Sequence, residues 1–228
     1  MTTQDLITTL NIPVNDISLI NNAFVHRSYL NENPKWKESN ERLEYLGDAV
    51  LELATSAFLY TRFPDYQEGM LTNLRAALVR TTSLAQISKK LALNNLLLMS
   101  KGEEAGGGRD NISLLADCFE AFLGAVYLDS GYKSVVDILE KNLFPNIEDV
   151  LVNTTYKDKK SELQEVSQAK YHVTPYYELL FESGPDHDKE FVMQVTIGND
   201  KFGVGKGKSK QTAQEAAATT TLEIINHT

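Results

Sequence analysis

Apolar residues recur every three or four positions through roughly the first 150 residues of this chain, and that rhythm stops after Pro145. Three runs carry it: Leu43, Leu46, Val50, Leu53, Ala54 and Ala57; then Leu71, Leu74, Leu78, Leu84, Ile87 and Leu91; then Leu115, Phe119, Phe122, Leu123 and Val126. A period of 3.6 residues can bury such a stripe only as a helix face, so the spacing predicts an all-helical bundle. Ser39 or Asn40 is placed to cap the first run, and Pro64 stands just past its end. Gly102 and Gly106-Gly107-Gly108 predict a flexible loop between the second and third runs.

The patterning changes in the last third. Ser161 to Gln168 reads as a helix, while Val173 to Phe181 and Phe191 to Ile197 are rich in β-branched and aromatic residues and read as strands. Ser183-Gly184-Pro185-Asp186 supplies turn chemistry between them, Phe202 to Val204 a short third strand, and Lys210 to Ile225 a closing helix. The order α-β-β-β-α predicts a small α+β domain with helices packed on a three-stranded sheet. The expected division is a helical domain over residues 1–152, a polar linker over 153–157 and the α+β domain over 158–228. No internal repeat or low-complexity tract interrupts it.

Within the first helical run lies Asn40-Glu41-Arg42-Leu43-Glu44-Tyr45-Leu46-Gly47-Asp48. Its three carboxylates fall within an arc of roughly 60° on one helix face. Like charges so placed repel by a few tenths of a kcal/mol when exposed, and by more when buried, unless a cation compensates. Asp117 and Glu120 form a second pair, three apart on another apolar helix. If the two helices face each other, five carboxylates converge. A solvated acidic face is the alternative, but the apolar neighbours point to burial. Gly47 costs about 1 kcal/mol relative to Ala inside a helix and suits a place of close approach. With no His pair at ligand spacing, all-oxygen ligation favours Mg2+ or Mn2+, ions suited to phosphoryl chemistry.

Composition narrows the classes. A single cysteine, Cys118, excludes an internal disulfide framework and a cysteine-based zinc site, and fits a small core residue in a reducing compartment. No apolar stretch approaches the ~20 residues of a membrane span, and the first residues show no signal-like core, so a cytoplasmic protein is expected. The net charge of −9 argues on average against a nucleic-acid partner. Against that average, Gly205-Lys206-Gly207-Lys208-Ser209-Lys210 leads into the last helix, and lysines beside a helix N-terminus favour anions. The spacing suits successive phosphates across a groove. Residues 151–228 hold nine lysines, no arginine and eleven acids, so the acids must lie mainly on other faces.

These segments together resemble the ribonuclease III family. The nine residues 40–48 resemble its signature. His26-Arg27-Ser28-Tyr29, Gly102-Glu103-Glu104 with Gly107-Gly108-Arg109, and Leu115-Ala116-Asp117 through Glu120-Ala121 match in the family's order. The C-terminal region is similar to a double-stranded-RNA-binding domain in Glu162 to Glu165, Gly184 to Phe191, and Gly205 to Lys210 with Ala213 to Ala218. The resemblance implies a Mg2+-dependent endoribonuclease of double-stranded RNA, with Mn2+ able to substitute and no organic cofactor. It implies products with 5′-phosphate and 3′-hydroxyl ends and a short 3′ overhang, and ribosomal and messenger precursors as substrates.

By the same resemblance Glu44, Asp117 and Glu120 would ligate metal, Asp48 would position or activate water, and Glu41 would serve at the edge. Glu120 would count as both ligand and catalytic residue. Tyr45 would plug into a partner subunit of a homodimer, at a position where Phe is commoner. Gln164, Glu165 and Gln168 would meet one RNA minor groove, Pro185 and His187 the next, and Lys206, Lys208, Ser209 and Lys210 the phosphates between, as A-form RNA requires. The rival readings are a non-catalytic double-stranded-RNA-binding protein that keeps the fold, and a DNA-directed metallonuclease. The first usually lacks one or more acids that are all present here; the second would have no use for 2′-hydroxyl readers.

Overall fold

A computed structural model describes residues 2–185 and 189–226, the side chains of 152–158 and 201 excepted. The chain divides into two compact units, Met1–Val150 and Leu151–Thr228. In the first, α1 (Thr3–Leu10), α2 (Ile17–Asn22) and α3 (Arg27–Glu32) precede the long α4 (Glu41–Arg62). Then come α5 (Glu68–Leu78), α6 (Thr81–Lys90), α7 (Lys101–Ala105) and α8 (Ile112–Asn142). The helix α9 (Ile147–Tyr171) begins in the first unit and ends in the second, so residues 153–157 lie within its bounds. The second unit continues with β1 (Tyr176–Ser183), β2 (Glu190–Ile197), β3 (Asp200–Gly207) and α10 (Lys210–Asn226). Its sheet is antiparallel in the order β1-β2-β3.

The middle of α8 is the core of the first unit. Leu115, Phe119, Phe122, Leu123 and Val126 are wholly buried, and Phe122 stacks on Phe24 at 6.0 Å between ring centroids. Each such side chain contributes on the order of 1.5–3 kcal/mol through burial. Across this core α4 meets α8 backbone to backbone. A Cβ on Gly47 would overlap the Glu120 carbonyl and lie 2.9 Å from the Gly124 nitrogen; one on Gly124 would overlap the Leu43 carbonyl. The helices can approach this closely only because neither carries a side chain at the crossing. In the second unit, Leu163 of α9 packs with Met193, Val195 and Ile197 of β2 and with Ala213, Ala217 and Leu222 of α10.

Three expectations need correcting. The apolar run 71–91 is two helices, because Arg80 takes an extended conformation (φ −59°, ψ 145°), and the six-residue gap from Leu78 to Leu84 already breaks the helical rhythm. The glycine-rich stretch is not a free loop. Ser100 Oγ caps α7 by accepting from the Glu103 N–H, Gly107 takes φ +86°, and Arg109 donates to Glu104 (2.6 Å) and to the Asn94 carbonyl (2.7 Å). The third strand is also longer than residues 202–204. Lys206 stands within it, opposite Val192, and Gly205 pairs with Met193 at a place where a Cβ would run into the backbone of α10.

Replacing Gly47 by Ala should lower the midpoint of urea unfolding by the equivalent of about 1–3 kcal/mol, the cost of forcing an extra carbon into a packed contact. An unchanged midpoint would show that α4 and α8 can separate without loss.

Candidate active site

The start of α4 is set by backbone pairing. Leu98 N–H donates to the Phe24 carbonyl (2.8 Å) and His26 N–H to the Leu98 carbonyl (2.9 Å), which fixes the segment before α3. Asn40 joins it: its N–H reaches the Val25 carbonyl (2.8 Å) and its side-chain amide the Ala23 carbonyl (3.2 Å). Asn40 thus stands at the N-cap position of α4 without capping the helix by its side chain. The result brings His26 and Arg27 beside Glu41 and Glu44, and these four line one cleft of about 460 Å³ with Asp117.

Three of the five predicted acids come together. Carboxylate oxygens of Glu44, Asp117 and Glu120 all lie within 4.8 Å of one another, and each residue is half-buried. Asp48 and Glu41 flank them and are exposed. Glu41 pairs with Arg27 at 3.4 Å and accepts from Ser39 Oγ at 2.9 Å, an edge position whose ion pair adds little stability. Tyr45 points outward, 83% exposed.

The electrostatics express the crowding. Burial pushes the Glu120 carboxyl up to about 8, with Asp48, Asp117, Glu44 and Glu52 adding to the rise. Glu44 is raised by burial and then by Asp117, Glu41 and Asp48. Asp117 is raised by burial, while the His26 ring pulls the other way. Such a group suits a hard divalent cation. Its donors are all oxygen, the ligand type that hard divalent ions take. Cys118, wholly buried beside them, has its thiol pushed up by burial and is a core residue.

Glu52 escaped the sequence reading. It follows Asp48 by one helical turn, acts on Glu120 electrostatically, and is held by Arg75 Nε of α5 at 2.7 Å. The spacing that singled out residues 41, 44 and 48 continues to 52 and could have found it.

In the second unit Gln164, Glu165 and Gln168 are exposed on one face of α9 and line a shallow groove with Ser161. Pro185 is exposed beyond β1; His187 lies outside the described residues. Lys206, Lys208, Ser209 and Lys210 are exposed in succession where β3 turns into α10. Ser209 Oγ accepts from the Thr212 N–H (3.2 Å), and the Lys210 ammonium lies 6.0 Å from the centre of the Phe191 ring.

Comparison with known proteins agrees with both units. A family model described as ribonuclease-III-like matches residues 16–147, and a double-stranded RNA binding motif matches residues 159–225. The chain is 49% identical to a protein named Ribonuclease 3 from Syntrophobacter fumaroxidans, over 92% of this chain and 89% of that one. It is 47% identical to Ribonuclease 3 from Enterococcus faecalis, over 94% and 93% of the two chains. Among solved structures, the nuclease domain of ribonuclease III from Campylobacter jejuni matches with a TM-score of 0.57 and 38% identity, covering 63% of this chain and 94% of that one. A helical unit whose acids converge where two helices cross, followed by an α-β-β-β-α unit, is thus matched along nearly its whole length, and the chain belongs to the ribonuclease III family.

Proposed function

We propose that Glu44, Asp117 and Glu120 bind the divalent ion, Mg2+ or Mn2+ in its place, with which this endoribonuclease hydrolyses phosphodiester bonds of double-stranded RNA. The observation that carries the assignment is the convergence of the three half-buried carboxylates within 4.8 Å. When bound, the ion would supply a Lewis acid for the phosphate and an activated water. Asp48, exposed beside the cluster, would position the attacking water or help activate it, and Glu41 holds the edge of the site together with Arg27. Cleavage leaves 5′-phosphate and 3′-hydroxyl ends with a short 3′ overhang. No observation favours a non-catalytic role, since all five acids are present.

The second unit binds the duplex. Gln164, Glu165 and Gln168 present amides and a carboxylate to one minor groove and its 2′-hydroxyls, and Pro185 and His187 reach the next. Lys206, Lys208, Ser209 and Lys210 take the intervening phosphates, a division of labour that reads shape rather than sequence. Structured ribosomal and messenger precursors in the cytoplasm are the substrates this reading expects.

The working form is a homodimer. The outer face of α4 carries Tyr45, Leu53 and Tyr60, exposed at 83%, 60% and 75%, with exposed Ala49 and Ala57 between them. A helix buried on one side and apolar on the other calls for a partner. One structure of the Campylobacter jejuni nuclease domain, 39% identical, is described as flexible in a region involved in dimer formation.

Glu120→Gln should reduce duplex cleavage in Mg2+ by roughly a thousandfold while duplex affinity holds; full cleavage would remove Glu120 from the site. Tyr45→Ala should shift sedimentation toward monomer, and an unaltered dimer would refute its place in the interface. The raised Glu120 carboxyl also sets a pH dependence. A carboxyl whose folded value lies above its unfolded one stabilises the fold when protonated, so its contribution is whole below about 4.5 and lost as pH rises through about 8. The melting temperature of the metal-free protein should therefore fall between pH 5 and 8, less steeply in Glu120→Gln, and Mg2+ should offset the fall. Identical slopes for both proteins would contradict the buried, crowded carboxyl.

A further inference from the structure

The connection between α3 and α4 leaves the wall of the cleft and returns to it. His26 and Arg27 line the cleft where α3 begins, and Asn40, Glu41 and Glu44 line it where α4 begins. Between them the chain makes a tight turn. Trp36 N–H donates to the Asn33 carbonyl at 3.0 Å, so residues 33–36 form a β-turn with Asn33 first and Pro34 second, the residues those places favour. Asn33 ties the turn back to α3, donating its N–H (3.0 Å) and its side-chain amide (3.3 Å) to the Tyr29 carbonyl. The Trp36 ring meets the Tyr29 ring edge-on, 6.4 Å between centroids, and both residues are half-buried. Lys35 and Lys37, on either side of Trp36, are exposed.

The acids around these lysines are already engaged. Glu32 accepts from the Lys101 N–H at 3.3 Å, Glu38 faces Arg42 at 3.8 Å, and Glu41 faces Arg27 at 3.4 Å. Among the described residues neither Lys35 nor Lys37 has an ion-pair partner. Residues 27–42 hold four cations against three acids, in a chain whose net charge is −9. The cleft they border is lined by Glu41, Glu44 and Asp117, and Arg27, which also lines it, already pairs with Glu41. A wall of that sign repels every phosphate other than the one an ion can receive, so a polyanion laid across it needs cations at the rim.

We propose that Lys35 and Lys37, held out on the turn by Asn33 and Trp36, are a phosphate-backbone contact for duplex RNA at the rim of the cleft. Such contacts position a duplex without reading its sequence. The turn is tied to α3 beforehand, so little backbone has to be ordered when RNA arrives. This contact belongs to the nuclease unit and adds to the lysines of the second unit. It rests on the reading that the duplex is cut in this cleft.

The test uses full-length Glu120→Gln in Mg2+, which should hold duplex RNA without cutting it, and a duplex longer than the roughly 16 base pairs one binding domain covers. Adding Lys35→Gln with Lys37→Gln should weaken affinity about fivefold or more and flatten the dependence of log K on log salt by between about one and two, since each phosphate contact contributes about 0.9. Lys35→Arg with Lys37→Arg should keep the parent's slope, and the melting temperature should stay the same in all, which a merely structural role would not allow. Trp36 is the chain's single tryptophan, so its emission reports from inside the turn and should change as duplex saturates the protein. In the chain with Glu120 intact, the glutamine pair should raise KM with little change in kcat. An unchanged salt slope and affinity in the glutamine pair overturn the proposal, and so does tryptophan emission indifferent to saturating duplex. Those results beside abolished cleavage in Glu120→Gln sink the lysine contact alone. Undiminished cleavage in Glu120→Gln removes the cleft as the place of reaction and the inference with it.

Discussion

The contact between Gly47 and Gly124 holds the first unit to its function. Two helices meet there with main chain against main chain, and the acids are counted from that point. Glu44 stands one turn before Gly47, Glu120 one turn before Gly124, and Asp117 one turn earlier again. Their mutual repulsion would drive the helices apart. The buried aromatic and aliphatic side chains of α8 hold them together, each worth on the order of 1.5–3 kcal/mol against a smaller electrostatic penalty per neighbouring charge. The site is a local concession made by a strong core, as buried charge generally has to be.

Much of this was legible in the residues. The helical rhythm, the acids on one face and the α-β-β-β-α order all follow from periods of 3.6 and 2, which need no tertiary information. The features that escaped depend on what lies opposite. Periodicity alone does not separate Glu41 and Asp48 from half-buried Glu44, because all three share the required spacing; the separation comes from α8 covering one part of the arc. Glu52 was overlooked because its meaning lies in Arg75, on another helix. The extent of β3 was hidden because its glycines look like turn chemistry, whereas Gly205 and Gly207 pair with β2 and leave room for α10 against the strand.

Average charge was equally misleading. A chain with a net charge of −9 looks unsuited to a polyanion. Yet Lys206, Lys208 and Lys210 stand together where β3 turns into α10, and Glu41, Glu44 and Asp117 line a cleft of the other unit. Both units carry more acids than bases, so the sum does not describe either local cluster. Phosphate binding depends on charges within about one Debye length, some 8–10 Å, and over that distance the local arrangement decides.

The main-chain contact between α4 and α8 also determines what kind of part the ion can be. In small zinc domains the metal builds the fold, and removing it unfolds the chain. Here the clustered acids stand on helices already held by a buried apolar core, so the fold of this unit does not depend on a cation bridging them. An ion taken up there would be an exchangeable reagent and no part of the scaffold, and its arrival or departure would require no refolding.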